Sequence, residues 1–152
     1  MKQFNSYILL ILIFPFMAFS CDKNEKNEEQ NLIITNYQWK LNMIEAEGKQ
    51  LTPKKNEYFR EDAYILVFAN DSTSTLNTSV NYAKGSYSID IDTKTIVISN
   101  YHESTEVAAV DINEQNLNNL LINSMNNVNS FEQINTDLIL KGDFGDIKFE
   151  KL

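Results

Sequence analysis

From Tyr37 onward, apolar side chains recur at every second position in short runs broken by turn residues. Only once does the step change. Period two is the signature of a half-buried strand, and steps of three and four are that of an amphipathic helix. Tyr37 to Ala46 places Tyr37, Trp39, Leu41 and Met43 on one face and Gln38, Lys40 and Asn42 on the other. Glu47-Gly48 ends this strand, and the polar stretch Leu51 to Asp62, with Thr52-Pro53, is expected as a long loop. Ala63 to Ala69 is continuously apolar and is expected as a strand covered on both faces. Asn70-Asp71-Ser72 is turn chemistry, and the Thr-rich run Thr73 to Val80 predicts an exposed strand.

Ala83 to Ile91 sets Tyr87, Ile89 and Ile91 against Ser86, Ser88 and Asp90. Asp92-Thr93-Lys94 turns the chain into a partner strand, Thr95 to Tyr101. Glu106 to Ile112 is a further apolar stretch. The step then changes. Leu117, Leu120, Leu121, Ser124, Met125 and Val128 form the stripe of a helix over Glu114 to Val128, with Asn113 as N-cap and Asp111 just before it. Strands resume over Phe131 to Leu140, broken at Asn135-Thr136-Asp137, and over Asp146 to Leu152, where Ile147 and Phe149 point inward. Gly142 to Gly145 turns between them. The expected fold class is α+β, mostly antiparallel β: a small closed or strongly curved sheet of about seven or eight strands, with one helix near the C-terminal end.

Composition excludes several functions. The 152 residues carry 13 basic and 21 acidic side chains, net −8, which is no footprint for nucleic acid. One Cys and one His exclude a disulfide within the chain, an iron–sulfur site and any His- or Cys-rich metal site. No cofactor is expected.

The first twenty residues read as an address. Lys2 precedes an uncharged apolar run, Ile8 to Phe19, too short for a bilayer core, which needs about 20 residues. Ala18 and Ser20 are small residues just ahead of Cys21, the chain's single thiol. Ala18-Phe19-Ser20-Cys21 resembles a bacterial lipoprotein signal, which implies that Cys21 takes a diacylglycerol and becomes the N-terminus. It departs from that signal at Ala18, where Leu is usual, and at the bulky Phe19. The alternative is a secreted, unlipidated product. Two or more acyl chains hold a protein on a membrane stably, each buried CH₂ contributing about 0.8 kcal/mol. Residues 21–35 are expected as a flexible tether, because Asp22 to Asn31 contains no apolar side chain. The acids Asp22, Glu25, Glu28 and Glu29 also resemble the sorting signal of surface lipoproteins in Bacteroidota. The implied location is the cell envelope, at the outer membrane, on its periplasmic face or the cell surface.

Residues 36–152 carry a second resemblance. It rests on Trp39-x-Leu41, on Asn81-Tyr82-Ala83-Lys84-Gly85-Ser86-Tyr87, on the strand Ile96 to Ser99 leading to Thr105, and on Leu120-Leu121. The ending Leu138 to Phe149 completes it. This ordered set resembles the META domain, a family of small bacterial envelope proteins that includes a heat-inducible lipoprotein linked to novobiocin resistance. Val80 and Ala109 stand where that family often has Cys, so any thiol chemistry of the family is absent here. A lipocalin-like lipoprotein domain is the rival. Apart from any family, Gly85 within a strand pattern predicts a bulge or close backbone approach, and Asn81 can bond a turn backbone. Trp39, Leu41, Asn81, Gly85, Tyr87 and Thr105 are therefore expected to determine the fold, not to catalyse.

No enzyme is expected. His102 lies at a strand end, and its neighbours Ser104 and Thr105 lack the geometry of an oriented nucleophile–base pair. Asp90 and Asp92, joined by Asp71 or Asp143, offer at most a loose oxygen site for Ca²⁺, with no EF-hand loop. Asp71-Ser72-Thr73 resembles the short O-glycosylation signal of Bacteroidota. Tyr58 and Phe59 in the polar loop are expected to staple it to the sheet. The functional expectation is a monomeric, membrane-anchored interaction or envelope-stress module with an unidentified protein partner. The alternative is a carrier of a small apolar ligand. Lys49 to Asp62 is the one long loop suited to a protease-inhibitor role.

Overall fold

The computed structural model describes residues 34–46, 48–54, 61–104, 107, 109 and 111–152. Cys21, Tyr58, Phe59 and Thr105 lie outside the described residues. The elements run β1 (Gln38–Ala46), β2 (Lys49–Leu51), β3 (Ile65–Phe68), β4 (Thr73–Asn77), β5 (Tyr82–Asp90) and β6 (Thr95–Glu103). Then follow α1 (Ile112–Met125), β7 (Val128–Ile134), β8 (Asp137–Gly142) and β9 (Gly145–Lys151). Every pairing is antiparallel. Sheet order is β1-β3-β4-β5-β6-β7-β8-β9, and β9 pairs back onto β1. The result is an eight-stranded closed barrel, with β2 appended to the far half of β1. Closure removes the exposed edges that a sheet of short strands would otherwise present.

Inward-facing side chains come from alternate positions of every barrel strand. They include Trp39, Leu66, Phe68, Leu76, Ile96, Ile98, Leu138, Leu140, Ile147 and Phe149, all buried. They join the helix residues Leu117, Leu121 and Met125 in one core cluster. Ile34, two residues ahead of the expected start of the domain, also joins it, and its carbonyl accepts the Trp39 indole N–H at 2.9 Å. Ile147 and Phe149 face inward as their alternation predicts.

Bulges account for most departures from simple alternation. In β1 the register shifts between Leu41 and Met43, so Ile44 and Ala46 take the inner face while Met43 is only half-buried. The expected single face of Tyr37, Trp39, Leu41 and Met43 therefore holds only as far as Leu41. In β5 the register shifts between Lys84 and Ser86, which puts the expected bulge at Gly85. A methyl group on Gly85 would overlap the Tyr101 ring and stand 2.9 Å from the Ser99 carbonyl oxygen. Gly85 thus makes room for a buried aromatic ring.

Three other expectations are corrected. Ala63 to Ala69 is not one doubly covered strand. Tyr64 adopts a left-handed backbone, φ 59°, so β3 begins only at Ile65, and its outward residues Ile65 and Val67 are half-buried. Thr73 to Val80 is not an exposed strand. Ser74 and Leu76 point into the barrel, and Thr78 and Ser79 are buried beyond the strand end. The helix spans Ile112–Met125, not Glu114 to Val128, and Val128 opens β7. Its N-cap is Asp111 rather than Asn113: the Asp111 carboxylate accepts the Asn113 backbone N–H at 2.7 Å.

Gly85→Ala is expected to lose about 1–3 kcal/mol to overpacking, read as a lower urea midpoint with unchanged slope. The Asn113 amide holds the Asp111 carboxyl below the usual carboxylate range. A depressed folded value means the cap contributes fully above the unfolded value, about 3.9, and fades as pH falls through the folded value. The Tm gap between the parent chain and Asp111→Ala is therefore expected to be constant above about pH 5 and to shrink on further acidification.

Candidate functional site

The barrel has two unlike ends. One holds the β3–β4, β5–β6 and β7–β8 turns. The other holds the start of β3, the ends of β4 and β6, and the whole of α1, which carries the chain from β6 to β7. The second end gathers the buried polar side chains Thr78, Ser79, Asn81, Glu114, Asn118 and Ser124. Such a concentration of buried polar groups in an otherwise apolar interior marks the candidate site.

The left-handed turn at Tyr64 starts the network. Its N–H donates to the Asn77 carbonyl at 2.6 Å, and its carbonyl accepts the Leu41 N–H at 2.9 Å, so the residue ties β1 to β4. Its side chain is buried, and the hydroxyl donates to Asn118 Oδ1 at 2.9 Å. Asn118 Nδ2 in turn donates to Ser79 Oγ at 2.9 Å. Burial pushes the Tyr64 hydroxyl up to about 12; a bond with Ser79 opposes this and the charge of Glu114 adds to it. Beside this turn the Lys40 ammonium donates to the Ala63 carbonyl. Burial lowers the Lys40 pKa, and the Asp62 charge opposes that shift.

Asn81 makes a second network. Its side-chain amide pairs with the Val107 backbone in both directions: Val107 N–H donates to Oδ1 at 3.0 Å, and Nδ2 donates to the Val107 carbonyl at 3.0 Å. Nδ2 also donates to Glu103 Oε2 at 3.1 Å. The arrangement is a strand ladder made by a side chain, and it holds Val107 beside the start of β5. At the far end of the helix Asn126 repeats it on Tyr101, with Oδ1 accepting the backbone N–H at 2.8 Å and Nδ2 donating to the carbonyl at 3.0 Å.

The residues singled out in the sequence fall in different places. Trp39 and Leu41 are inner-face core. Tyr87 packs edge-on against Phe68, ring centroids 4.9 Å apart, and its hydroxyl donates to the Ala69 carbonyl at 2.8 Å. Asn81 belongs to the polar end, and Gly85 lies under Tyr101. His102 is exposed, with Nδ1 2.7 Å from the Asn100 carbonyl oxygen. Asp71, Asp90 and Asp92 lie at the turn end of the barrel and Asp143 at the other. Among the described residues no three His, Cys, Asp or Glu side chains gather as a metal-holding group. Asp71 is engaged locally: its carboxylate accepts from the Thr73 hydroxyl at 2.5 Å and the Thr73 amide at 3.0 Å, which lowers its pKa. Ser72 is exposed in that turn.

Sequence reasoning missed Glu114, Asn118 and Asn126. A signal existed for the first two, since positions 114, 118, 121 and 125 share one helical face and only the last two are apolar.

No family model matches the chain, and no curated protein matches it. Solved structures do share its fold. A protein from Burkholderia xenovorans, solved by NMR, is 14% identical with TM-score 0.62, over 82% of this chain and 87% of that one. A DUF4847 family protein from Bacteroides vulgatus ATCC 8482, solved by crystallography, is 16% identical with TM-score 0.54, over 80% and 96%. A third, solved by NMR, is 12% identical with TM-score 0.57, over 78% and 91%. Likeness at these identities shows the fold alone.

Asn81→Ala strips the Val107 backbone and Glu103 of partners and is expected to cost about 1–3 kcal/mol. Asn81→Asp also sets a second carboxylate against Glu103 and is expected to cost more. Chemical denaturation ranks the two, and faster amide exchange at Val107 reports the lost clamp.

Proposed function

We propose that this chain is a lipid-anchored envelope protein, attached through Cys21, whose barrel is a non-catalytic interaction module with a protein partner. The META-like and envelope-stress assignments stand with it as part of the same proposal. The observation that carries it is the state of the barrel interior. Trp39, Leu66, Phe68, Leu76, Ile96 and Leu138 converge there with no surface that a water molecule touches, and Phe149 has almost none. A carrier needs lining residues that face a space of about 300 Å³ or more. These side chains face one another, which favours the interaction module over the carrier.

Barrel polarity supports a separate anchor. A membrane-spanning barrel is apolar outside. Here the outward positions of β5 and β6 are exposed and mostly polar: Tyr82, Lys84, Ser86, Ser88 and Asp90, then Thr95, Val97, Ser99 and His102. Burying short hydroxyl side chains costs little rotamer entropy compared with burying Lys or Glu, so this wall suits contact with another protein. The outward face of β7 to β9 is more charged, with a Lys141–Glu132 ion pair at 3.0 Å.

Metabolic labelling with palmitate tests the anchor. The parent chain is expected to take label and sediment with membranes, and Cys21→Ala to lose both; label that survives the substitution overturns the lipoprotein assignment. For the module, a photo-cross-linking residue at Ser88 is expected to trap a protein that the same probe at Lys148 does not. Release of a bound lipid or other small apolar molecule from the purified chain on unfolding favours the carrier instead.

A further inference from the structure

α1 turns one face to the core and the other outward, and the outward face carries no charge. From Gln115 to Phe131 the chain runs seventeen residues without an acidic or basic side chain, the longest such run past Cys21. Of the two acids at the start of the helix, Asp111 caps it and Glu114 is buried. Amides fill the outward positions instead. Asn113, Gln115, Asn116, Asn119 and Asn123 are exposed, with Ile112, 66% exposed, at the start of the same face. Surface helices ordinarily carry charged residues on this side.

Asparagine is among the poorer helix formers, so helix stability does not account for this choice. Nor does overall composition: eight of the chain's 20 asparagines fall in the seventeen positions from Asn113 to Asn129. Asn118 and Asn126 serve the barrel, through Ser79 and Tyr101. Asn116, Asn119 and Asn123 do not: among the described residues their side-chain amides bond to nothing else in the chain. With Ile112 they follow one another at steps of four, three and four, a single stripe along the helix.

We infer that this stripe docks against the same stripe of a second copy, the two helices antiparallel about a two-fold axis near Asn119. Charge and hydrogen-bonding chemistry favour a copy over a foreign protein. Across a two-fold axis a face meets itself, so any net charge on it meets the same charge. A chain of net −8 therefore self-associates most readily through a face without that excess. The amide group meets the second condition, because it carries donor and acceptor together and so complements itself. Steps of four and three keep the stripe on the seam between two packed helices. With the axis near the middle of α1, Asn119 meets Asn119 and Asn116 meets Asn123. The chain is then a dimer, not the monomer expected from its sequence. A helix face 14 residues long is small beside the roughly 1,200 Å² that a stable interface buries, so the pairing is weak and reversible.

The test uses the full-length chain in the cells that produce it, carrying Asn119→Cys or, for comparison, Ser88→Cys or Lys148→Cys on the barrel walls. Copper phenanthroline oxidises the thiols, and mass spectrometry identifies the joined peptides. Dimers joined through Cys21, or by chance collision, arise in all three alike. A disulfide between two copies at position 119 is expected in about tenfold higher yield than at 88 or 148. Equal yields overturn the inference, and so does residue 119 joined to another protein but not to itself. Adding Asn116→Glu and Asn123→Glu sets like charges across the seam and is expected to cut the yield about tenfold. Tm is expected to stay at or above that of the parent, because glutamate is the better helix former. A yield unchanged by the two acids overturns the inference. Should that variant unfold, sedimentation of the purified parent chain over a roughly hundredfold dilution decides: a shift from dimer to monomer supports the pairing, and a monomer throughout rejects it.

Discussion

Barrel closure rests on its weakest seam, between β6 and β7. Every other neighbouring pair shares a ladder of three or more positions, whereas these two strands meet at one position, Thr95 opposite Ser130, with the Phe131 N–H reaching the Lys94 carbonyl at 3.1 Å. Below that point β6 and β7 part, and backbone groups on a parted edge must find other partners or water. The chain solves this with its only described α-helix of any length. α1 enters the gap, and its final cap residue, Asn126, supplies the amide pair that a neighbouring strand would have given Tyr101. The helix is therefore a substitute for missing ladder as well as a cover for the barrel end.

That role explains why the helix interface mixes Leu117, Leu121 and Met125 with Glu114, Asn118 and Ser124. An all-apolar face would bury the helix on the core but leave the parted backbone and the Ser79 loop unsatisfied. Asparagine suits the task because its amide carries both a donor and an acceptor, as the peptide group does. Asn81, Asn118 and Asn126 each use both. The same substitution of side chain for ladder occurs where β4 turns into β5: Thr78 Oγ1 accepts the Asn81 N–H at 3.0 Å and donates to the Asn81 carbonyl at 3.2 Å.

Much of this fold was legible in the sequence where period and turn chemistry agree. The Tyr87–Ile89 alternation, the Asp92–Lys94 turn, the inward Ile147 and Phe149, and the one late helix all stand in the barrel as the pattern implied. So did the bulge, because glycine inside a strand has few other reasons to be there. Misreadings arose where tertiary contacts overrode local pattern. Met43 lost the inner face to a bulge that no residue type announces. Tyr64 reads as a strand residue, yet it adopts the left-handed region that β-formers avoid. Ser74, Thr78 and Ser79 read as surface because they are polar, and they are buried. The candidate site was nearly invisible for the same reason. Its asparagines resemble the many others in an Asn-rich chain, and only their partners in space distinguish them.

Tyr64 joins these threads. A bulky residue at positive φ stores backbone strain of about 1–3 kcal/mol. Here the strain coincides with two backbone bonds that link β1 to β4 and with a phenol aimed at Asn118. Relaxing the turn would break both bonds and withdraw the hydroxyl from the helix together. The strained turn, the polar helix face and the parted seam thus act as one unit. The turn end closes the barrel through backbone pairing of distant strands, Trp39 opposite Lys151 and Thr95 opposite Ser130. The helix end is closed instead by side chains of residues far apart in sequence: Tyr64 with Asn118, Ser79 with Asn118, Tyr101 with Asn126. Contacts of long sequence separation are entropically costly to form and are lost together, so a substitution at Asn118 or Tyr64 loosens several of them at once.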